Sequence, residues 1–238
     1  MKNAIVVGAS SGIGRELARV LAANGYSVGL AARRVDLLRE LAKELSTPSR
    51  IQEMDVADTQ NAMAGLERLI DEMGDVDLFV LNAGVGFPNW DLDWQPERET
   101  IDVNVTGFAA TANVAVRHLM KRGRGHLVGI SSIAALAGHG EAPAYPASKA
   151  FMSNYMSGLR HKFARQNAPI TVTDVLPGFV DTAMLKADDP FWVATPQKAA
   201  RQIYSAIVGR KKRVYITRRW RMVAWLIRLL PDWIAHKL

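Results

Sequence analysis

Three residues in the second half of the chain have types and a spacing that suit proton transfer: Ser132, Tyr145 and Lys149. Tyr145 and Lys149 lie four residues apart, so they share one face if this segment is a helix. A phenol titrates near ~10 in water, but a neighbouring ammonium favours the phenolate and lowers the phenol pKa. Ser132 lies thirteen residues before Tyr145 and could hydrogen-bond a substrate oxygen. Together the three side chains could move a proton onto or off a carbonyl or hydroxyl oxygen.

A glycine-rich turn near the N terminus supports this chemistry, because the Tyr-x-x-x-Lys spacing alone also occurs in helices as a solvated pair. The turn follows the apolar run at residues 4–7 and precedes an amphipathic helical pattern. Its spacing is Gly-x-x-x-Gly-x-Gly, and the residues that we predict to bind a dinucleotide there are Gly8, Ser10, Ser11, Gly12, Ile13 and Gly14. Glycines let the backbone approach a pyrophosphate, and the helix N terminus supplies amides and partial positive charge. The alternative, an ordinary tight turn between strand and helix, does not need three glycines.

Two arginines end the second predicted strand and bear on which dinucleotide is bound. An acidic residue at this position would hydrogen-bond the adenosine ribose of NAD, whereas an arginine would pair with the 2′-phosphate of NADP. Arg33 and Arg34 stand there, and Asp36 follows where the next helix begins. We therefore predict NADP(H) in preference to NAD(H). The alternative is a solvated turn before a helix.

The composition is that of an ordinary globular protein. With 238 residues, the chain is long enough for one large α/β domain with a sizeable core. It contains no cysteine, which excludes disulfides, thiolate catalysis and cysteine-based metal sites, and we predict no metal site. We find no signal-peptide core and no run of about 18 apolar residues, so we expect a cytoplasmic protein without a membrane-spanning helix.

Short β-rich runs alternate with longer helical patterns along most of the chain. We predict strands at residues 4–7, 27–32, 50–54, 77–81, 125–131, 170–175 and 213–216. We predict helices at residues 13–23, 35–45, 59–73, 96–121, 144–165 and 196–208. This alternation indicates a Rossmann-type doubly wound α/β fold, with a parallel sheet of about seven strands and helices on both faces. Residues 1–217 would form this single domain, and residues 218–238 would be its helical extension.

The motifs, taken in order, resemble the classical short-chain dehydrogenase/reductase (SDR) family over roughly residues 1–208. The likeness rests on the glycine turn, Asp55 and Val56 after the third strand, Asn82-Ala83-Gly84 after the fourth, Asn104, Ser132, Tyr145-x-x-x-Lys149, and Pro177-Gly178 after the sixth. Each motif is modest by itself, but their order and spacing together identify the family. The resemblance implies hydride transfer between a nicotinamide cofactor and a carbonyl or alcohol.

The resemblance also implies roles for four catalytic residues. Tyr145 would be the general acid in reduction and the base in oxidation, and Lys149 would lower its pKa and bind the nicotinamide ribose. Ser132 would orient and polarise the substrate oxygen. Asn104 would hold a water that links Lys149 to solvent; the alternative is a buried polar residue that satisfies helix backbone.

The matching positions extend along the cofactor. Asp55 and Val56 would border the adenine. The residues lining the cleft further on would be Asn82, Ala83, Gly84, Pro177, Gly178, Val180 and Thr182, the last four along the nicotinamide. Members of the family are often homodimers or homotetramers, which pack through helices corresponding to residues 96–121 and 144–165.

The last thirty residues carry the basic character of the protein. From Gly209 onward there are nine Lys or Arg residues and one acid, a net +8, against +7 for the whole chain. Residues 218–230 form a basic amphipathic pattern that contains Trp225, and Pro231 ends it or begins a second short helix. Such a pattern is typical of docking on the protein or a partner subunit, or of an anionic membrane surface. No recognised nucleic-acid motif accompanies the charge, so we predict no nucleic-acid partner.

The leading hypothesis is an NADP(H)-dependent oxidoreductase that acts on a small-molecule carbonyl or alcohol. Two alternatives stay open: a regulatory protein that binds the cofactor without turnover, and a membrane-peripheral reductase of lipid-like substrates. The full catalytic set favours turnover, since binding alone would not need all four residues. Two loops, at residues 85–95 and 181–195, follow strand ends where ligands bind in parallel sheets, and their aromatic residues favour an apolar or mixed substrate.

Overall fold

Alternating strands and helices build one parallel sheet with helices on both faces. The computed structural model describes residues 2–185 and 190–229. The strands in chain order are β1 (Lys2–Val7), β2 (Tyr26–Ala32), β3 (Ser49–Glu53), β4 (Val76–Leu81), β5 (Gly125–Ile130), β6 (Ile170–Pro177) and β7 (Arg213–Ile216). Across the sheet they follow the order β3-β2-β1-β4-β5-β6-β7, and each neighbouring pair is parallel. The order reverses between β1 and β4, and ligands of open parallel sheets bind in the crevice at such a point.

The α-helices of the described residues divide between the two faces of the sheet. They are α1 (Gly12–Ala23), α2 (Val35–Glu44), α3 (Thr59–Met73), α4 (Trp94–Ile101), α5 (Phe108–Arg122), α6 (Ala144–Arg165), α7 (Pro196–Val208) and α8 (Trp220–Leu229). One apolar core contains residues of α3, α5 and α6, and the other contains residues of α1, α2 and α7. Along β1, Ile5 and Val7 belong to the first core and Ala4 and Val6 to the second, because successive strand residues point to opposite faces.

The predicted fold class and the predicted strands are confirmed, with strand ends shifted by no more than two residues. The prediction of one helix over residues 96–121 is wrong, because the chain there forms α4, a π-helical turn at Asp102–Gly107, and then α5. The predicted tail helix is found as α8, while its last residue, Leu230, and the following Pro231 lie outside the described residues. Within residues 2–185 and 190–229, no helix combines the length and the apolar character needed to cross a membrane.

The π-helical turn is held by contacts with the ends of two strands. Such turns insert an extra residue and are frequent at functional sites. Asn104 in this turn is fully buried, and its side-chain amide bonds the backbone of Val85 in the loop after β4. Gly107 packs against the segment that follows β3, so closely that a Cβ on Gly107 would lie 2.5 Å from the Val56 carbonyl oxygen. The turn therefore brings Asn104 to the carboxyl edge of the sheet.

Candidate active site

The glycine turn between β1 and α1 has a shape that side chains would block. Gly8 and Gly12 have positive φ values of 87° and 57°. A Cβ at Gly8 would lie 2.6 Å from the Ala83 nitrogen, and one at Gly14 would lie 2.1 Å from the Gly8 carbonyl oxygen. Asn82 supports the turn from the end of β4, since its Nδ2 donates a 2.8 Å hydrogen bond to that carbonyl. The turn thus leaves the N terminus of α1 open to close approach by a phosphate.

The two arginines at the end of β2 have different surroundings. The Arg34 guanidinium donates hydrogen bonds to the hydroxyls of Ser10 and Ser11, at 3.0 and 2.7 Å. Arg33 is largely exposed, and its guanidinium lies 3.9 Å from the Asp55 carboxylate. Both arginines line a cavity of about 510 Å³ at the start of α2. A guanidinium and two hydroxyls therefore stand together beside the glycine turn.

Residues after β3 and β4 line the crevice next to that turn. Asp55 and Val56 lie just beyond β3, where Val56 is buried. Ala83 and Gly84 lie just beyond β4. A Cβ at Gly84 would stand 3.0 Å from the Lys149 Nζ, so the absence of a side chain at Gly84 lets this loop approach Lys149 closely.

The segment after β6 borders the crevice from the other side. Pro177 is the last residue of β6, and the Gly178 amide donates a 2.6 Å hydrogen bond to a carbonyl of β7. Val180 is buried and forms a parallel bridge with the end of the same loop. Thr182 reaches the glycine turn, where its methyl carbon would lie 3.1 Å from a Cβ at Gly12. Thr182 therefore stands beside the glycine turn, at the end of the segment that begins with Pro177, Gly178 and Val180.

Ser132, Tyr145 and Lys149 meet at the carboxyl edge of β5. Tyr145 and Lys149 are one turn apart in α6, and the Lys149 Nζ lies 5.7 Å from the centre of the Tyr145 ring. Lys149 is buried and donates a 3.3 Å hydrogen bond to the carbonyl of Ile130, the last residue of β5. The Ser132 hydroxyl accepts a 3.1 Å hydrogen bond from the Ala134 amide and lies close enough to the Tyr145 phenol to lower its pKa. The structure thus brings the three predicted side chains together.

Burial dominates the pKa values of Tyr145 and Lys149. It raises the pKa of the Tyr145 phenol, and the interaction with Ser132 acts in the opposite direction. It lowers the pKa of the Lys149 ammonium to about 8. The sequence predicts that Lys149 lowers the Tyr145 pKa, but burial prevails in the structure and Ser132 is the group that opposes it. The physical reason is that removing the phenolate from water costs more free energy than the interaction with Ser132 recovers.

Asn104 links the loop after β4 to α6. Its Nδ2 donates hydrogen bonds to the Val85 carbonyl at 2.7 Å and to the Ser148 hydroxyl at 3.0 Å, while its Oδ1 accepts one from the Val85 amide at 2.9 Å. Ser148 in turn donates to the Tyr145 carbonyl at 2.7 Å. These contacts correspond to the alternative of a buried polar residue bound to backbone, and the water relay stays a prediction.

The order of the elements and the position of the site agree with one protein family. A family model described as short chain dehydrogenase matches residues 2–191. The chain belongs to the short-chain dehydrogenase/reductase family. As a short-chain dehydrogenase, it is an NAD(P)-dependent oxidoreductase. The matched region contains the glycine turn and the predicted catalytic positions, and it ends before α7, β7 and α8.

Relatives and solved structures resemble this chain along most of its length. An uncharacterized oxidoreductase of Myxococcus xanthus is 41% identical over 202 residues, which are 82% of this chain and 79% of that protein. An alcohol dehydrogenase from Thermococcus sibiricus complexed with 5-hydroxy-NADP has a TM-score of 0.80 and 25% identity, over 90% of this chain and 95% of that chain. The fold is also that of a short-chain dehydrogenase/reductase from Burkholderia phymatum in complex with NAD, with a TM-score of 0.86 and 21% identity, over 94% and 92% of the two chains.

The residues of this short-chain dehydrogenase fit a nicotinamide dinucleotide. The glycine turn after β1 leaves its backbone open, whereas a Cβ at Gly8 or Gly14 would fill that space. Hydroxyl and guanidinium donors stand at its adenosine side, and the buried Lys149 stands at the end of β5. Donors for phosphates and for ribose hydroxyls are therefore present along one sheet edge.

The tail places an aromatic residue at this dehydrogenase site that sequence reasoning missed. Trp220, the first residue of α8, is buried, and a Cβ at Gly178 would lie 2.0 Å from its ring. The Trp220 ring stacks on Phe191 at 5.1 Å and meets Phe179 edge-on at 5.4 Å. The helix also packs against the 3₁₀ turn Ile133–Leu136, which follows β5. The signal available was a second Trp within the basic amphipathic pattern, together with a glycine and aromatic residues in the loop after β6.

Proposed function

We propose that this short-chain dehydrogenase transfers hydride between NADP(H) and a carbonyl or secondary alcohol, with Tyr145 as the general acid or base. The observation that carries the proposal is the meeting of Ser132, Tyr145 and Lys149 at the sheet edge that also holds the glycine turn. The bound nicotinamide would supply or accept the hydride. In reduction, the carbonyl carbon gains the hydride and its oxygen gains the proton of the Tyr145 hydroxyl, which gives the alcohol. In oxidation, the phenolate accepts the proton from the alcohol.

The neighbouring residues would position the reacting groups. Ser132 would hydrogen-bond the substrate oxygen in addition to its contact with Tyr145. Lys149 would bind the nicotinamide ribose hydroxyls, and its buried ammonium would favour negative charge on the phenol oxygen. Asn104 would hold a water that returns protons from solvent by way of Lys149. A positioned acid–base group of this kind contributes about 10²- to 10⁴-fold to the rate.

The preference for NADP(H) is supported by the charge at the end of β2. Arg34 already bonds the hydroxyls of Ser10 and Ser11, so a 2′-phosphate there would meet one guanidinium and two hydroxyl donors. Arg33 is exposed at the same cavity. Asp36, the acid that opens α2, is paired with an arginine of its own helix at 2.9 Å. The cations at the end of β2 therefore support a preference for the cofactor that carries the 2′-phosphate.

Replacing Arg34 with Ala is expected to raise the KM for NADPH by about 10- to 100-fold, because hydrogen bonds to charged groups contribute about 1.5–3 kcal/mol. The KM for NADH should change little, since NADH has no 2′-phosphate. Steady-state kinetics with both cofactors make the measurement. The matched control is Arg68→Ala, which removes an exposed arginine of α3. Equal changes for NADPH and NADH would contradict the proposed preference.

A screen of NADPH consumption tests the reaction itself. Aldehydes, ketones, quinones and steroids are offered with NADPH, with NADH as the cofactor control, and alcohols are offered with NADP. Turnover of a carbonyl or alcohol class supports the proposal. Binding of NADPH without turnover in either direction would instead favour the regulatory alternative.

The proposal includes the assembly and the location of the protein. We propose a homodimer or homotetramer that packs through α4, α5 and α6, where Ile101, Met120 and Phe151 are exposed. Residues 1–217 would be the cofactor-binding domain and residues 218–238 its extension. The absence of cysteine is compatible with the reducing cytoplasm, which we propose as the location.

A second candidate function, a membrane-peripheral reductase of lipid-like substrates, is favoured by the outer face of α8. On this helix Met222, Trp225 and Leu226 are 71%, 68% and 54% exposed. The exposed arginines beside them are Arg218, Arg219 and Arg221. Basic residues among exposed Trp and Leu side chains suit an anionic lipid surface. Because α8 packs beside the loop that follows β6, a lipid surface there would lie close to the substrate side of the crevice.

Replacing Trp225 and Leu226 together with Glu is expected to abolish binding to anionic vesicles, because both apolar area and net positive charge are lost. Sedimentation with phosphatidylserine-containing vesicles and with phosphatidylcholine vesicles, at low and high salt, makes the measurement. The wild type should pellet with anionic vesicles at low salt and be released at high salt. The control Val208→Glu changes a residue that is 64% exposed at the end of α7 and should pellet like the wild type. No pelleting of the wild type would remove this candidate.

A further inference from the structure

A buried carboxylate lies behind the catalytic residues. Asp174 on β6 is fully buried, and its Oδ1 accepts a 2.6 Å hydrogen bond from the Ser131 hydroxyl. Its Oδ2 accepts hydrogen bonds from the Ser153 hydroxyl and, at 3.1 Å, from the Arg213 guanidinium. Arg213 also donates to the Ser153 hydroxyl at 3.0 Å. We call these four residues, Asp174, Ser131, Ser153 and Arg213, the Asp174 cluster.

Both serines of the Asp174 cluster are neighbours of catalytic residues along the chain. Ser131 directly precedes Ser132. Ser153 follows Lys149 by four residues, and Lys149 follows Tyr145 by four, so all three lie on one face of α6. The cluster therefore contacts the same strand end and the same helix face as the acid–base group.

Three successive residues at the end of β5 are joined to α6. The Ile130 carbonyl accepts a hydrogen bond from Lys149, and the Ser132 hydroxyl lies beside the Tyr145 phenol, whose pKa it lowers. Between them, Ser131 reaches α6 through the Asp174 cluster. The contacts of Ile130 and Ser132, on either side of Ser131, set the positions of Lys149 and of the Tyr145 phenol relative to the Ser132 hydroxyl. The contact of Ser131 is with the Asp174 carboxylate, and hydrogen bonds to a charged group are short and strong.

We propose that Asp174 is a positioning residue, which holds β5 and α6 in the register needed for the contact between Ser132 and Tyr145, with Arg213 as its counter-ion. A buried ion pair is a weak source of stability, since well-packed apolar residues often replace one without loss. The arrangement here does what apolar packing does not: a single carboxylate fixes hydroxyls from two elements at defined distances. The inference rests on the proposed function, because the register matters for catalysis only if Tyr145 acts on substrate.

The test is Asp174→Asn, which keeps the side-chain shape but removes the charge. We expect kcat to fall by about 10- to 100-fold with the KM for NADPH unchanged, since a displacement of about 1 Å can cost about 10²-fold. The matched control is Asp77→Asn. Asp77 also forms an ion pair, at 2.8 Å with Arg122, but it lies near the start of β4, at the amino-terminal end of the strand. The control should lower the melting temperature but leave kcat unchanged. An Asp174→Asn enzyme with wild-type kcat would overturn the proposal.

A second readout does not depend on turnover. The ultraviolet absorbance of the Tyr145 phenolate is titrated as the difference between each protein and the same protein carrying Tyr145→Phe. The interaction with Ser132 lowers the Tyr145 pKa, so loss of register in Asp174→Asn should raise the titration midpoint, whereas Asp77→Asn should leave it in place. A wild type without turnover would refute the proposed function alone, while an unchanged midpoint in Asp174→Asn would overturn the positioning role.

A milder variant covers the case in which Asp174→Asn does not fold. Ser153→Ala removes one hydroxyl from the Asp174 cluster and should lower kcat by about 3- to 10-fold, the effect of one hydrogen bond. Its control is Ser157→Ala, one turn further along α6, where the side chain is half-buried. Equal kcat values for these two variants would also overturn the proposal.

Discussion

Replacing Tyr145 with Phe is expected to lower kcat for NADPH-dependent carbonyl reduction by about 10²- to 10⁴-fold, because the substrate oxygen then has no positioned proton donor. The ring itself should stay in place. It lies against Gly86, where a Cβ would stand 2.6 Å from the ring carbon Cδ2. NADPH binding should therefore survive, which separates loss of chemistry from loss of the site. Steady-state kinetics and a fluorescence titration of NADPH make the two measurements.

The control for this variant lies on the same helix. Tyr155 packs its ring edge-on against Phe108 at a centroid distance of 5.8 Å, and Tyr155→Phe removes a hydroxyl outside the proposed site. Its kcat should match that of the wild type. Near-native turnover in Tyr145→Phe would sink the acid–base assignment, whatever the cofactor preference.

Replacing Lys149 with Met is expected to stop turnover and to stabilise the protein. Turnover should fall by at least about 10²-fold, since the cation beside the phenol and the ligand for the ribose are both lost. Stability should rise by about 3–4 kcal/mol at neutral pH, because burial lowers the Lys149 pKa from 10.5 to about 8 and each unit corresponds to about 1.4 kcal/mol. Met is unbranched and apolar, so it suits the buried position.

The dependence of stability on pH distinguishes this effect from improved packing. The folded pKa of Lys149 lies below the unfolded one, so between about pH 8 and 10.5 the unfolded chain binds more protons. This group therefore makes the wild type more stable as the pH rises through that window, and its destabilising effect is complete below it. Urea denaturation from pH 7 to 10.5 should show the slope in the wild type and in the control Lys162→Met, an exposed lysine of α6, and its loss in Lys149→Met. A parallel slope in Lys149→Met would contradict the assignment of this pKa.

Features that depend on local sequence could be predicted well. The glycine turn follows from spacing, because a strand, three glycines and a helix leave few other conformations. The shared face of Tyr145 and Lys149 follows from the helical repeat, and the structure confirms the helix that carries them. The sequence also predicts the strand ends to within two residues, since apolar β-rich runs are bounded here by glycines and polar residues.

Features that depend on distant contacts could not be predicted. The π-helical turn arises where Asn104 bonds the Val85 backbone, and helical periodicity does not contain that contact. The buried position of Trp220 depends on Gly178, more than forty residues earlier in the chain, because a Cβ at Gly178 would overlap the Trp220 ring. The direction of the Tyr145 pKa depends on how deeply the phenol is buried, which spacing does not reveal.

The position of Arg213 near the C-terminal end matters for a chain that is synthesised from its N terminus. The glycine turn and the four side chains proposed to be catalytic have all left the ribosome once Lys149 has, whereas β7 follows much later. Until then β6 is an unpaired sheet edge, and Asp174 lacks its counter-ion. A nascent chain would therefore carry every reactive group before it can hold them in place. Chains whose translation stops before Arg213 should therefore be degraded by cellular quality control and should not accumulate as partly active enzymes.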